Sequence, residues 1–336
     1  MPRLNTMHKP LNILVTGGAG FIGSHFVNLL KERTEHHVLV VDNFSQGRAN
    51  IIEHERIQYF EIDLRDRQRL MEVFEKNHID VVVHFAALAT ITASVSGPHP
   101  TYDHNVVGGI NLLDCMLESG VKKIIFSSSG SVYGEPKTEI LKEDHPLEPI
   151  NPYGYSKLIF ERLLRDYHKP YHLDAIMFRY FNPAGCNDSL SIGEHHEPET
   201  HVIPLLVETL LGKRPEFSIF GNDYPTPDGT CIRDYIHVED LVEAHLLAME
   251  KIIKQSDICE AYNLGTNKGT SVMELVTAAE KAAGKKVNFK IAPRRPGDPS
   301  KSIANASKAM QELNWQPKRL NLETMILSCY KSFKSR

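Results

Sequence analysis

The first half of the chain alternates short apolar runs with segments of helical spacing. Residues 11–16, 37–42, 57–62, 80–85, 123–128 and 174–180 are runs of strand length; 37–42 reads HVLVVD and 80–85 reads DVVVHF. Continuous apolar runs, rather than apolar/polar alternation, predict strands buried on both faces. Between them, 22–32, 67–76, 102–118 and 152–167 predict helices. In the first, Phe21, Ile22, Phe26, Leu29 and Leu30 supply the apolar stripe. The helix over 152–167 opens on Pro152, where a missing N–H costs least. Strand and helix in strict alternation imply right-handed crossovers and an α/β fold, a doubly wound parallel sheet covered on both faces.

After Asn182 the pattern breaks. Residues 182–200 are polar and read as a loop, and 221–230 (GNDYPTPDGT) is turn-rich. Helices over 238–251 and 271–283, short strands over 261–264 and 287–291, a stiff polar loop over 292–299 and two short helices complete the chain. This predicts a first domain over 11–185, with elements around 238–265 returning to its sheet. A smaller C-terminal α/β lobe spans 186–336.

Composition narrows the function. The 336 residues are ample for a core without disulfide or metal staples. A net charge of −4 offers no basic field for a nucleic acid or an anionic membrane. The apolar runs fall far short of the ~20 residues of a membrane helix. Residues 1–10 are polar and lack the apolar core of a secretory signal. The five cysteines are odd in number and widely spaced, with no CxxC, which points to a reducing cytoplasm and buried thiols.

Thr16-Gly17-Gly18-Ala19-Gly20-Phe21-Ile22-Gly23 follows a predicted strand and opens a predicted helix. Gly17, Gly20 and Gly23 stand at the spacing of a Rossmann-type dinucleotide loop. There glycines permit a tight turn, close approach to a pyrophosphate and close packing of helix on strand. The helix N-terminus presents free N–H groups and partial positive charge to phosphate. Asp42 closes the second strand about 20 residues on, where an acid bonds ribose hydroxyls and repels a 2′-phosphate. NAD is therefore expected over NADP; Arg48 lies several residues too late to change this.

Tyr153 and Lys157 stand four apart on one predicted helix, hence on one face. A neighbouring ammonium favours the phenolate, so Tyr153 is expected to be a general acid/base with its pKa drawn down. Ser129 lies at the C-terminal edge of the predicted sheet, where such folds bind ligands. Tyr155, two residues from Lys157, faces away from it. Glu194, His195, His196 and Glu197 hint at a metal, but Pro198 and the spacing to His201 do not fit a helical zinc motif, so no metal is expected. Arg233, Arg294 and Arg295 are expected in Pro/Gly-rich polar loops and offer forks for a diphosphate.

The glycine loop, serine-bearing strand end and YxxxK resemble the extended short-chain dehydrogenase/reductase superfamily. Within it, RYFNPAG at 179–185, FGNDYPT at 220–226, DGTCIRDYIHV at 228–238 and RRPGD at 294–298 resemble the UDP-glucose 4-epimerase family, from about Asn12 to Trp315. The resemblance implies an NAD-dependent isomerase that interconverts UDP-galactose and UDP-glucose, as a homodimer. It implies Ser129, Tyr153 and Lys157 as the catalytic trio. It implies cofactor contacts from Gly17, Gly20, Phe21, Ile22, Gly23, Asp42, Asn43, Asp63, Leu64, Phe85, Ala86, Leu88, His104, Tyr153, Lys157 and Phe181. It implies UDP-sugar contacts from Ser129, Asn182, His201, Phe220, Arg233, Arg295, Asp298 and Ser302.

Three positions depart from a familiar form of the family pattern. Ala89 replaces a lysine, His104 an asparagine for which Asn105 is a candidate substitute, and His201 an asparagine that touches the diphosphate. The implied reaction passes through a 4-keto sugar that turns about its diphosphate. A dehydratase is disfavoured because Gly130 and Ser131 follow Ser129 and supply no acid. An epimerase of UDP-glucuronate or a UDP-pentose, or a non-catalytic NAD sensor, is the alternative. Ser302 falls where a tyrosine accompanies restriction to glucose and galactose. Its small side chain implies room for the acetamido group of UDP-GlcNAc and UDP-GalNAc.

Overall fold

The computed structural model describes residues 9–47, 52–194, 199–295 and 298–334. Arg48, His195, His196, Glu197, Pro198, Pro296 and Gly297 lie outside the described residues.

Six strands form in the first half: β1 (Asn12–Thr16), β2 (His37–Asp42), β3 (Ile57–Glu61), β4 (Val81–His84), β5 (Lys123–Ser129) and β6 (Asp174–Tyr180). The helices between them are α1 (Phe21–Arg33), α2 (Arg67–Lys76), α3 (Ile91–Ser96), α4 (Pro98–Tyr102), α5 (Gly108–Glu118) and α6 (Pro152–Tyr171). The expected helix over 102–118 differs in detail. A π-turn, Asp103–Val107, separates α4 from α5. Such turns carry one residue more than an α-turn and cluster at functional sites.

The second half adds β7 (Asn182–Ala184), β8 (Phe217–Phe220), β9 (Ile232–His237), β10 (Cys259–Leu264), β11 (Gly269–Ser271), β12 (Phe289–Ala292) and β13 (Lys301–Ser302). Its helices are α7 (Val202–Leu210), α8 (Val238–Lys254), α9 (Val272–Ala283), α10 (Ser307–Glu312) and α11 (Leu322–Lys334). Two expectations are corrected here. The stretch read as a loop from 182 opens with β7, and Arg233 stands on β9 rather than in a loop, because β9 recruits both segments as ladder partners.

The main sheet runs β10-β6-β5-β4-β1-β2-β3, with every pair parallel. The strand order reverses between β1 and β4, the switch point at which ligands of open α/β sheets bind. Both faces are apolar. One packs on α1 and α8 through Phe26, Leu30, Leu241 and Met249; the other on α2, α5 and α6 through Leu70, Leu112, Phe160 and Leu164. A separate core, with Leu206, Leu275 and Ile326 at its centre, holds α7, α9 and α11 together. The smaller sheet places β9 between β11 and β13, with β7 also paired to β9, and β8 pairs β12. Among the described residues no helix is long and apolar enough to cross a membrane.

Candidate active site

A cavity of about 440 Å³ opens over the C-terminal ends of the parallel strands and runs toward β9 and β13. Every cofactor-side residue named above lines it. At its floor the turn after β1 needs glycine. Gly17 holds φ +71°, and a Cβ on Gly23 would come within 2.1 Å of the Gly17 carbonyl. Gly20 caps α1 with no side-chain acceptor, so the first N–H groups of the helix face the cavity unmasked by a side chain. Asp42 accepts the Ala19 and Phe44 amides at 3.0 and 2.8 Å, and its carboxylate has further lone pairs for ribose hydroxyls. Burial raises its pKa, while those two amides work against the rise. Asp63 accepts Asn43 Nδ2 at 2.9 Å and is held well below the usual carboxylate range by Arg65. This cradle fits a dinucleotide.

The catalytic candidates meet in the same cavity. Asn151 caps α6 by accepting the Gly154 N–H, and Pro152 follows at the first helical position. The next turn then brings Tyr153 and Lys157 to one buried face. Ser129, the last residue of β5, accepts the Ser131 amide at 3.1 Å. Its own hydrogen is left to point at a partner oxygen. Tyr155 is 46% exposed, which removes it as a rival base.

One expectation is corrected. The Tyr153 phenol is not drawn down: burial raises its pKa, opposed only by the Ser129 hydroxyl. Lys157 Nζ donates to the Ser127 carbonyl at 2.7 Å, and burial lowers it to about 7. The desolvated ammonium cannot by itself overcome the phenol's own desolvation.

On the other side lie the substrate-side candidates. Arg233 Nη2 donates to Asp298 at 3.0 Å, and Asn182 Nδ2 donates to the Asp234 carbonyl at 3.0 Å. Ser302 is the ladder partner of Arg233, so both reach the cavity side by side. Phe220 and Arg295 do not line the cavity; the guanidinium stacks 3.8 Å over the Phe220 ring. Ala89 and His104 line it, whereas Asn105 does not.

His201 lines the cavity with its Nδ1 at 2.9 Å from Glu194 and 3.3 Å from Glu199. Packing around the ring disfavours its charge, but the two carboxylates carry its pKa up to about 10. Donor atoms of Glu194, Glu199 and His201 lie within 4.8 Å of one another. Glu199 carried no signal of its own, since the residues from 194 to 201 show no regular spacing of ligand types. Tyr180 and Ser127, whose hydroxyls meet at the cavity wall, were also unmarked. Their place at the ends of β6 and β5 was the available signal.

Residues 13–265 match the model of the NAD dependent epimerase/dehydratase family. The chain belongs to this family. It is 45% identical over 314 residues to a UDP-glucose 4-epimerase of Halalkalibacterium halodurans, covering 94% of this chain and 93% of that one. The structure of a UDP-glucose 4-epimerase from Bifidobacterium longum with NAD+ and UDP superposes with a TM-score of 0.92 at 39% identity, covering 96% and 98% of the two chains. A UDP-Glc/GlcNAc 4-epimerase of Campylobacter jejuni superposes with a TM-score of 0.82 at 40% identity, covering 97% and 100%. The match to the family covers the glycine loop, Ser129, Tyr153, Lys157 and Arg233 alike.

Proposed function

We propose that this protein is an NAD-dependent isomerase that interconverts UDP-galactose and UDP-glucose at sugar C4. The observation that carries this is one cavity holding both a dinucleotide cradle, at Gly17–Gly23 and Asp42, and an arginine–aspartate pair, Arg233–Asp298, with Ser129, Tyr153 and Lys157 between them.

The roles follow from position. The first domain, 11–185 with 238–265, holds the dinucleotide through its glycine loop, Asp42 and Asp63; the lobe over 186–336 holds the UDP-sugar. NAD, when bound, supplies a reversible hydride acceptor for C4. Tyr153 takes the proton from O4 while Ser129 donates to that oxygen, and later returns it. Taking that proton needs the phenolate, which burial opposes; the Lys157 ammonium and the positive charge of oxidised nicotinamide, when bound, would together favour it. Arg233 anchors the diphosphate, a handle remote from the chemistry about which the 4-keto ring can turn. Tyr153 and Lys157 are buried, which limits water beside the ketone.

The same reading extends to N-acetylated sugars, supported by the small Ser302 side chain on the cavity wall. It extends to a homodimer in the cytoplasm. Ile91, Val95, Val107, Tyr155 and Ile159 are exposed apolar groups on α3, the π-turn and α6, which pack together. The cysteines are free thiols. Incubation of the purified protein with UDP-galactose, UDP-GalNAc, UDP-glucuronate and a UDP-pentose in turn tests the function. Formation of UDP-glucose from UDP-galactose is expected, and turnover of only an acidic or pentose substrate would replace this reading.

A further inference from the structure

Ser129 and Ser302 line the same cavity, and a chain of hydrogen bonds joins them through residues that do not line it. Ser129 ends β5 and is followed by a single 3₁₀ turn, Gly130–Tyr133. Tyr133 is fully buried, and its hydroxyl donates to Asn263 Oδ1 at 2.6 Å. Asn263, on β10, is also fully buried, and its Nδ2 donates to the Leu141 carbonyl at 2.9 Å. Leu141 pairs in turn with the residues that follow β13. Its N–H donates to the Ile303 carbonyl at 2.8 Å, and its carbonyl accepts the Asn305 N–H at 2.7 Å.

Ser302 is thus held from two sides, and each side fixes something different. The β9 ladder, with the Asp234 carboxylate accepting the Ala304 N–H at 3.2 Å, sets it beside Arg233. Leu141 relates it to the first domain, because residues 139–143 lie between β5 and α6 in the chain. That strap contains no helix or strand beyond the single bridge of Leu141 with Ala304. Side chains of the first domain therefore fix it. Asn263 holds it twice, through Leu141 and by donating its own N–H to Glu143 Oε1 at 2.8 Å. The Glu143 carbonyl accepts Arg179 Nη1 at 3.0 Å, and Arg179 is paired in the interior with Glu161, one turn beyond Lys157 on α6. Asparagine suits the junction because it offers an acceptor and donors in one plane.

We propose that Asn263 is a positioning residue for substrate selection: it holds residues 139–143 against the end of β13, which fixes the distance from Ser129 to Ser302 and so the room allowed to the substituent at sugar C2. This rests on the reading in which Ser302 faces that substituent. A hydroxyl at C2 makes little use of this wall. An acetamido group packs against it, so a displaced wall is felt by the N-acetylated sugars. Asn263→Leu keeps the approximate size and loses both side-chain bonds. Tyr133→Phe severs only the link to the turn after Ser129.

The test compares the unsubstituted protein, Asn263→Leu and Tyr133→Phe by one ratio, kcat/KM for UDP-GalNAc over kcat/KM for UDP-galactose, measured on a single preparation of each. Misfolded chains or a general loss of stability lower both values together and leave the ratio unchanged. Misfit by a single methylene in a fitted pocket is worth about tenfold or more, and Asn263→Leu is expected to lower the ratio by about tenfold with UDP-galactose turnover nearly kept. Tyr133→Phe is expected to lower it less. An unchanged ratio in Asn263→Leu overturns the proposal, whether or not activity is lost. If that variant does not fold, Tyr133→Phe decides alone, and an unchanged ratio there overturns it. Affinities for UDP-GalNAc and for UDP, which carries no sugar to meet Ser302, are measured alongside by calorimetry. If the unsubstituted protein converts UDP-galactose but not UDP-GalNAc, the N-acetyl reading fails; if it converts neither, the epimerase reading fails. In both cases calorimetry decides: weaker binding of UDP-GalNAc relative to UDP in the variants supports the strap, and an unaltered ratio of the two affinities overturns it.

Discussion

Lys157 directs its ammonium at the backbone of Ser127, with Nζ 2.7 Å from the carbonyl oxygen and 5.9 Å from the centre of the Tyr153 ring. The charge is thus fixed beneath the phenol rather than hydrogen-bonded to it. Burial lowers the lysine to about 7, against an ordinary value of 10.5. Between those values the unfolded chain binds more protons than the folded one, so this group makes stability rise with pH over that window. Lys157→Met lacks the slope. In the nucleotide-free protein it is expected to unfold at a higher temperature than the unsubstituted protein at about pH 6, with the gain shrinking toward about pH 9. Activity is expected to be largely lost. An equal gain at both pH values would contradict the assignment.

Tyr153→Phe removes the hydroxyl and little else. A positioned acid/base group contributes about 10²–10⁴-fold in rate, and a loss of that size is expected in UDP-galactose turnover. UDP affinity, measured by calorimetry, is expected to stay near the starting value because Arg233 and Asp298 lie on another element. Near-normal turnover would require a different base.

The imidazole of His201 carries the opposite linkage. Its folded pKa of about 10 lies above the ordinary 6.5. Its contribution is complete below the unfolded value and is lost as pH rises through the folded one. His201→Asn is expected to flatten the decline of melting temperature between about pH 7 and about pH 10. A scan with the same alkaline slope as the unsubstituted protein would show that Glu194 and Glu199 do not hold the ring charged.

Ser302 stands beside Arg233 in the β9–β13 ladder, so its height above the diphosphate anchor is set by backbone pairing. Ser302→Tyr is expected to abolish turnover of UDP-GalNAc while sparing UDP-galactose, read by separate assays of each sugar. Unchanged N-acetyl activity in the variant would place the acetamido group elsewhere.

The protein is expected to carry NAD through purification, released on denaturation and identified by enzymatic assay. Asp42→Ala is expected to narrow the preference for NAD over NADP in binding measurements, because the carboxylate that repels a 2′-phosphate is gone. A preference left intact would locate the discrimination at another residue.

The main sheet was readable because parallel strands buried on both faces spell unbroken apolar runs, as in Val81–His84. The second lobe was less so. Ile232–His237 mixes charged and apolar residues because Arg233 serves a cavity and Asp234 bonds to Thr266 and Ala304, so its strand character is set by partners, not by composition. Val202–Leu210 carries Pro204 in its first turn, which resembles a break from the sequence alone. The π-turn left no trace because its residues have ordinary helical spacing. Tyr153, Lys157 and Ser129 were legible as a group, but the direction of the Tyr153 pKa was not, since it depends on burial around the phenol.

The partner of β6 arrives late. Cys259 aligns with Ala175 and Leu264 with Tyr180, so the strand that completes this edge of the sheet is made long after the strand it covers. A nascent chain ending near Gly185 would expose β6 as an open template for any extended neighbour. The return of β10 therefore works as a seal as well as a support, and a fragment cut between the two halves is expected to pair with copies of itself rather than remain a free nucleotide-binding unit.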